Sequence, residues 1–212
     1  MITRFFRLML GLFLYAVGII LTIKANIGFA PWDVFHVGLA DTINVTIGIA
    51  SIYAAFGIIT ITLIMGEKLG LGTLLNMFVI GLFIDLVIYL NLIPVGGNFI
   101  ISLLMLLLGL VIISVASYYY IGSGFGAGPR DSLMVGLNKK TKLPIGLCRG
   151  IVEILAVLIG WQLGGQVGVG TIIAAVMIGP IIQITFKLLK FDTSTIQHET
   201  LGKTWRALKA NK

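Results

Sequence analysis

The sequence predicts an all-α polytopic membrane protein: six transmembrane helices built as two inverted three-helix repeats, each with a short re-entrant half-helix. Three observations carry that expectation. Of 212 residues, 58% are hydrophobic and only 11% are charged, whereas a soluble domain carries roughly 25% charged residues. A water-soluble fold of this length cannot hide so much apolar surface. The apolar residues also gather into six runs near the ~20 residues that ~30 Å of hydrocarbon demands. Finally, the chain repeats itself at one fixed offset, and the charges flanking its runs alternate in density.

The first run, residues 5–23, follows Arg4 and Arg7. Basic residues before an apolar stretch also mark signal peptides. This run is nearly twice as long as a usual signal core, and no small-residue cleavage site follows, so a retained span is expected. Next comes NIGFAPWDVFHVGLADTINV, in which a helix over residues 31–41 is expected from Pro31 at its first position and Asp33 in its first turn. Ten or eleven residues at 1.5 Å reach only about 16 Å, half a bilayer. A re-entrant half-helix is therefore expected. Runs 47–65 and 71–92 complete a first membrane repeat, residues 1–95. The second repeat, residues 96–190, opens with run 99–119 and continues with GSGFGAGPRDSLMVGLNKKTK, where a second half-helix is expected over 129–138. Runs 145–163 and 171–189 follow. Residues 191–212 are read as a cytosolic basic tail, whose end either lies on lipid as an amphipathic helix or stays solvated.

The repeat is legible in glycine, proline and aspartate. Gly28, Pro31 and Asp33 recur as Gly126, Pro129 and Asp131, an offset of 98 residues. The same offset relates Gly11 to Gly109, Val37-Gly38-Leu39 to Val135-Gly136-Leu137, Gly66 to Gly164, Gly70 to Gly168 and Gly72-Thr73 to Gly170-Thr171. Shared apolar composition produces chance Leu and Ile matches. It does not hold Gly, Pro and Asp in register without a gap. Three crossings are an odd number, so the second repeat enters the membrane from the opposite side. The charges argue the same way. With Arg4 and Arg7 inside, Lys68 and the segment holding Arg130, Lys139, Lys140 and Lys142 also fall inside, while 95–98 and 166–169 fall outside without charge. This is the positive-inside pattern. It predicts a multi-pass protein of the cell membrane with both termini cytoplasmic.

Inverted repeats with broken helices are an arrangement that secondary transporters use. Backbone freed at a helix break cannot face lipid and must line protein or a water-filled cavity. Half-helix N-termini bring partial positive charge to it. The candidate substrate-binding residues are accordingly Gly28, Pro31, Asp33, Gly126, Pro129 and Asp131. The two aspartates could equally serve only their own helix N-termini. Polar residues at membrane depth are costly and supply a second set. Glu153 with Arg149 one turn earlier is either an ion pair that eases insertion or a proton or cation site. Asp85 and its mate Gln183 mark either a polar cavity or interhelical hydrogen bonds. His36 is an interface hydrogen-bonder or a member of the same cavity. Asn76, whose mate is Ala174, is a weaker candidate. Trp32 in one half-helix and Arg130 in the other make the two half-sites unequal.

The duplicated Gly-rich element with Pro and Asp, set between hydrophobic spans, resembles the YczE/YyaS/YitT family of bacterial integral membrane proteins over nearly the whole chain. The resemblance implies a bacterial cell-membrane location and supplies no catalytic residue. The expected function is transport of a small solute or ion through a midplane site, with proton coupling as an option. Movement of a lipid or lipid-linked carrier, and a non-transporting accessory role, stay open beside it. An enzyme is not expected: the zincin, nucleophile-elbow and Walker motifs are all missing, and an Asp33–Asp131 dyad has no other support. The lone Cys148 argues against a disulfide framework or thiolate cluster, so neither metal nor cofactor is expected. The formal charge of +7 sits at the edges of apolar runs and reads as membrane orientation, not nucleic-acid binding. The expected partners are the lipid bilayer and an unidentified small solute or ion; the sequence leaves the oligomeric state open.

Overall fold

A computed structural model describes residues 2–67, 69–126 and 128–191. The basic tail expected beyond residue 191 lies outside the described residues. Within them, eight α-helices run in the order α1 (Ile2–Lys24), α2 (Pro31–Ile43), α3 (Ile47–Ile64), α4 (Leu71–Leu90), α5 (Phe99–Ile121), α6 (Pro129–Thr141), α7 (Ile145–Gln162) and α8 (Val169–Leu188). Five of them, α1, α3, α4, α5 and α8, are long and apolar enough to cross a membrane. The sixth apolar run forms α7, which is 18 residues long and carries Arg149 and Glu153. Helix lengths of 23, 13, 18 and 20 residues occur in α1 to α4 and again, in that order, in α5 to α8.

The two short elements are thus helices of 13 residues, slightly longer than the sequence suggests. Each opens on proline at its first position and closes on a left-handed residue, Asn44 at φ 58° and Lys142 at φ 59°. Proline needs no hydrogen-bonded N–H there, and a left-handed cap satisfies the last carbonyls. Four of the longer helices, α3, α4, α5 and α8, begin on side-chain hydrogen bonds. Thr46 accepts from the Ile49 N–H at 3.2 Å, and Asn98 from the Ile101 N–H at 3.0 Å. Thr73 and Thr171, mates at offset 98, accept from the N–H groups of Gly70 and Gly168 at 3.3 and 3.1 Å.

At the centre α1 and α5 run antiparallel in close contact. Gly11 backs onto Ala116 and Tyr120, whereas Gly18 backs onto Gly109 and Ile113, so residue numbers rise on one helix as they fall on the other. Gly109 in turn faces Gly18 and Thr22, the mates of Ala116 and Tyr120. Small residues on both helices let the backbones approach. Other contacts recur at the same offset. The Gly170 N–H donates to the Ile27 carbonyl at 2.7 Å, and the Gly72 N–H to the Phe125 carbonyl at 2.8 Å. The turns at Gly28 and Gly126 therefore lodge against the starts of α8 and α4, each in the other half of the chain. Leu8, Leu12, Ile84, Leu106 and Leu110 fill the interior. Phe56, Leu108, Ile184 and Tyr89 are more than half exposed on the outside. Exposed apolar side chains on several helices suit lipid rather than water, as in a multi-pass membrane protein.

Candidate functional site

The N-terminal half of α2 is largely buried, that of α6 half-buried, and the C-terminal ends of both are exposed. Both helices meet α3 and α7 around a cavity of about 100 Å³. Its walls contain four pairs of residues separated by the repeat offset: Trp32 with Arg130, His36 with Met134, Ser51 with Arg149, and Ala55 with Glu153. Positions 98 residues apart in the two halves of the chain therefore face one space. Its chemistry is nevertheless unequal, because each pair differs in residue type.

The Arg130 guanidinium stacks 4.6 Å from the centre of the Trp32 ring, an attraction worth roughly 0.5–2 kcal/mol depending on desolvation. Its Nη2 lies 3.4 Å from His36 Nε2. Among the described residues no carboxylate oxygen comes within 4.0 Å of it. His36 is 2% exposed. Its Nδ1 has no hydrogen-bond partner among the described residues and stands 3.9 Å from Asp33 Oδ1. Arg149 Nε donates to Glu153 Oε1 at 2.9 Å, so the i,i+4 pair suggested by the spacing is formed, and both side chains line the cavity.

Asp33 and Asp131 are held in matching ways. Asp33 Oδ2 accepts from the Thr22 hydroxyl at 3.1 Å, and Asp131 Oδ2 accepts from the Tyr120 hydroxyl at 2.8 Å. Thr22 and Tyr120 are themselves mates at offset 98. Tyr120 oxygen also accepts from the Gly128 N–H, which ties the start of α6 to the end of α5. The aspartates therefore anchor their half-helices to α1 and α5. Asp131 and Pro129 also line the cavity; Asp33 and Pro31 stand behind it.

The remaining sequence candidates lie elsewhere. Gly28, at φ +105°, and Gly126, at φ +131°, form the turns that pack on α8 and α4, away from the cavity wall. Asp85 and Gln183, read as marking either a polar cavity or interhelical hydrogen bonds, do not line it, and Asp85 bonds to the start of α3. Asp85 accepts from the Thr46 hydroxyl at 2.6 Å and from the Gly48 N–H at 2.9 Å. It serves the unpaired donors at the start of α3. In the second half Pro144 occupies the place of Thr46 and offers no hydroxyl, and Gln183 is exposed on α8. Asn76, the weaker candidate, does line the cavity, as do Tyr15 and Tyr120, which sequence reasoning passed over. The signal that could have found Trp32 and Arg130 as a stacked pair was their shared register at offset 98.

Comparison with known proteins agrees with the resemblance to the YczE and YyaS proteins. Residues 2–187 match the model of a family of unknown function, DUF6198. The chain is 34% identical to an uncharacterized membrane protein, YczE, of Bacillus subtilis, over 82% of this chain and 81% of that protein. It is 33% identical to an uncharacterized protein of Haemophilus influenzae, over 86% of this chain and 83% of that one. A second Bacillus subtilis protein, the uncharacterized YyaS, is 26% identical over 85% of this chain and 91% of its own. No solved structure gives a significant match.

Proposed function

We propose, for a chain that belongs to the DUF6198 family of bacterial membrane proteins, that it carries a small solute or ion across the cell membrane through the cavity between two inverted repeats. The observation that carries this reading is the convergence of four repeat-related pairs on one cavity. A site shared by two antiparallel halves belongs equally to both. Rocking one half against the other would open it first to one side and then to the other.

In this reading α7 is the sixth span, and the Arg149–Glu153 pair lowers the cost of placing either charge in an apolar helix. The short helices enter from opposite faces. Two contacts support that: Lys139 at the end of α6 pairs with Glu67 beyond α3 at 2.7 Å, and Thr42 in α2 donates to the Leu163 carbonyl beyond α7 at 3.1 Å. The first contact belongs to the basic, cytoplasmic face and the second to the outer face, whose segments 95–98 and 166–169 carry no charge, with both termini cytoplasmic. Glu153, a cavity carboxylate with a single cation one turn away, is the group suited to couple solute movement to protons. A volume near 100 Å³ favours a small solute over a lipid-linked carrier. Counterflow in proteoliposomes tests the reading, with labelled amino acids, short carboxylates, phosphate and alkali cations as trial solutes. Saturable exchange by the wild type, lost in Trp32→Ala, is expected. Exchange of every solute at the rate of protein-free liposomes would favour the accessory role instead.

A further inference from the structure

Resting on the transport reading, we propose that the cavity binds a small zwitterion, its anionic group on the Arg130 guanidinium and its ammonium group on the Asp131 carboxylate. Arg130 spends its flat face on Trp32 at 4.6 Å and, among the described residues, its edge meets only a ring nitrogen of His36, at 3.4 Å. Stacking leaves the edge of the guanidinium, where its five N–H donors lie, in the geometry that grips a carboxylate. Asp131 has the opposite deficit. Among the described residues it accepts from the neutral Tyr120 hydroxyl and from no cation, although a carboxylate offers about four acceptor positions. The other two charges on the wall, Arg149 and Glu153, satisfy one another at 2.9 Å. A cation and a carboxylate with spare capacity therefore stand side by side at the start of α6.

The charge balance selects among ligands. Arg130 and Arg149 offset Asp131 and Glu153 on the wall, while Asp33 faces Thr22 and His36 instead. A ligand with net charge would leave one charge uncompensated in a low-dielectric site, which is expensive. A zwitterion leaves the balance untouched and satisfies both deficits. His36 lines the same wall, with Nε2 3.4 Å from the guanidinium. Size sets the limit: about 100 Å³ holds roughly seven to ten water-sized groups at ~10–15 Å³ each. That is a zwitterion of a few carbons.

Isothermal titration of the purified full-length protein in detergent tests this with glycine, β-alanine and 4-aminobutyrate. Propionate serves as the anion-only probe and ethylammonium as the cation-only probe. At least one zwitterion should bind ~10-fold or more tighter than either half-probe, because each charge-assisted contact is worth about that factor or more. Arg130→Gln and Asp131→Asn should each weaken it by a similar factor. The wild-type selectivity decides the matter even if a variant fails to fold. Propionate binding as tightly as the best zwitterion, or no binding by any zwitterion, would overturn the proposal. Zwitterion binding without counterflow would sink the transport reading and leave this one standing. Saturable exchange confined to phosphate or to alkali cations would do the reverse.

Discussion

Replacing Gly28 with alanine should damage the fold at one identifiable contact. A Cβ there would sit 2.5 Å from the Gly168 nitrogen and 2.6 Å from its Cα, both backbone atoms that cannot rotate away. The residue also holds φ at +105°, where an L side chain is strained. Overpacking costs about 1–3 kcal/mol, and backbone strain about 1–3 kcal/mol more. The sum, roughly 2–6 kcal/mol, corresponds to a melting shift of at least about 4 °C for a chain of this size. Gly126→Ala should be milder. Its nearest atoms are the Gly70 Cα at 2.8 Å and the Thr73 hydroxyl oxygen at 3.2 Å, and that side chain can yield. Gly57→Ala is the control. Nothing lies within 4 Å of the added carbon, and alanine in a helix interior gains about 0.5–1 kcal/mol over glycine. Thermal unfolding of the three variants in one detergent should rank Gly57→Ala above wild type, then Gly126→Ala, then Gly28→Ala. A Gly28→Ala melting point equal to wild type would refute the assignment of this turn to close backbone packing.

Four further outcomes are expected. Pro31→Ala and Pro129→Ala should cost less than Gly28→Leu and Gly126→Leu in the same melts, because a first-turn proline is replaceable by another helix former. In a Cys148→Ser background, cysteines at the exposed positions Asn98 and Gln166 should react with an impermeant maleimide from outside, and one at Lys140 only from inside; outside labelling at Lys140 would remove the inverted topology. Tyr120→Phe strips a partner from both Asp131 and the Gly128 N–H, so it should destabilise more than Thr22→Val, at about 1–3 kcal/mol for each buried group left unpaired. Glu153→Gln removes the carboxylate and should abolish accumulation driven by a pH gradient while leaving solute exchange intact, since intramembrane carboxylates mark proton relays; unchanged accumulation would exclude Glu153 as the coupling residue.

The elements themselves were legible because their causes are local. Apolar length places α1, α3, α4, α5 and α8, and Pro31 and Pro129 place the first residues of the two short helices. Helix ends were less so. The left-handed closures at Asn44 and Lys142 extend α2 and α6 past the expected ends, and a Lys in that conformation has no sequence signature. Asp85 stood open between a cavity and interhelical hydrogen bonds, and it makes the bonds. Its depth along the chain suggests a cavity, but its role depends on where α3 begins in space, through Thr46 and Gly48. Intramembrane polarity alone cannot separate a cap from a cavity wall, since both answer the same need for a partner in a dry environment.

Part of the candidate site, the stacked pair of Trp32 and Arg130, was hidden by the search for identities at offset 98. Identity at offset 98 picks out positions where both halves need the same residue: Gly28 and Gly126 against the facing helix starts, or Asp33 and Asp131 tethering the half-helices through Thr22 and Tyr120. Those needs are structural, and they arise once in each half. The cavity imposes the opposite demand. Where equivalent positions from both halves face one small space, two identical side chains compete for it: two tryptophans at the place of Trp32 and Arg130 would crowd, and two arginines would repel. Stacking requires one of each, and it is found at 4.6 Å. The same logic separates His36 from Met134 and Glu153 from Ala55. In a duplicated membrane protein, then, matched positions that have diverged in chemistry and lie within a helix turn of the conserved break are the better guide to a shared site. Applied to this chain, that criterion keeps Trp32 and Arg130, a pair that a search for identities discards.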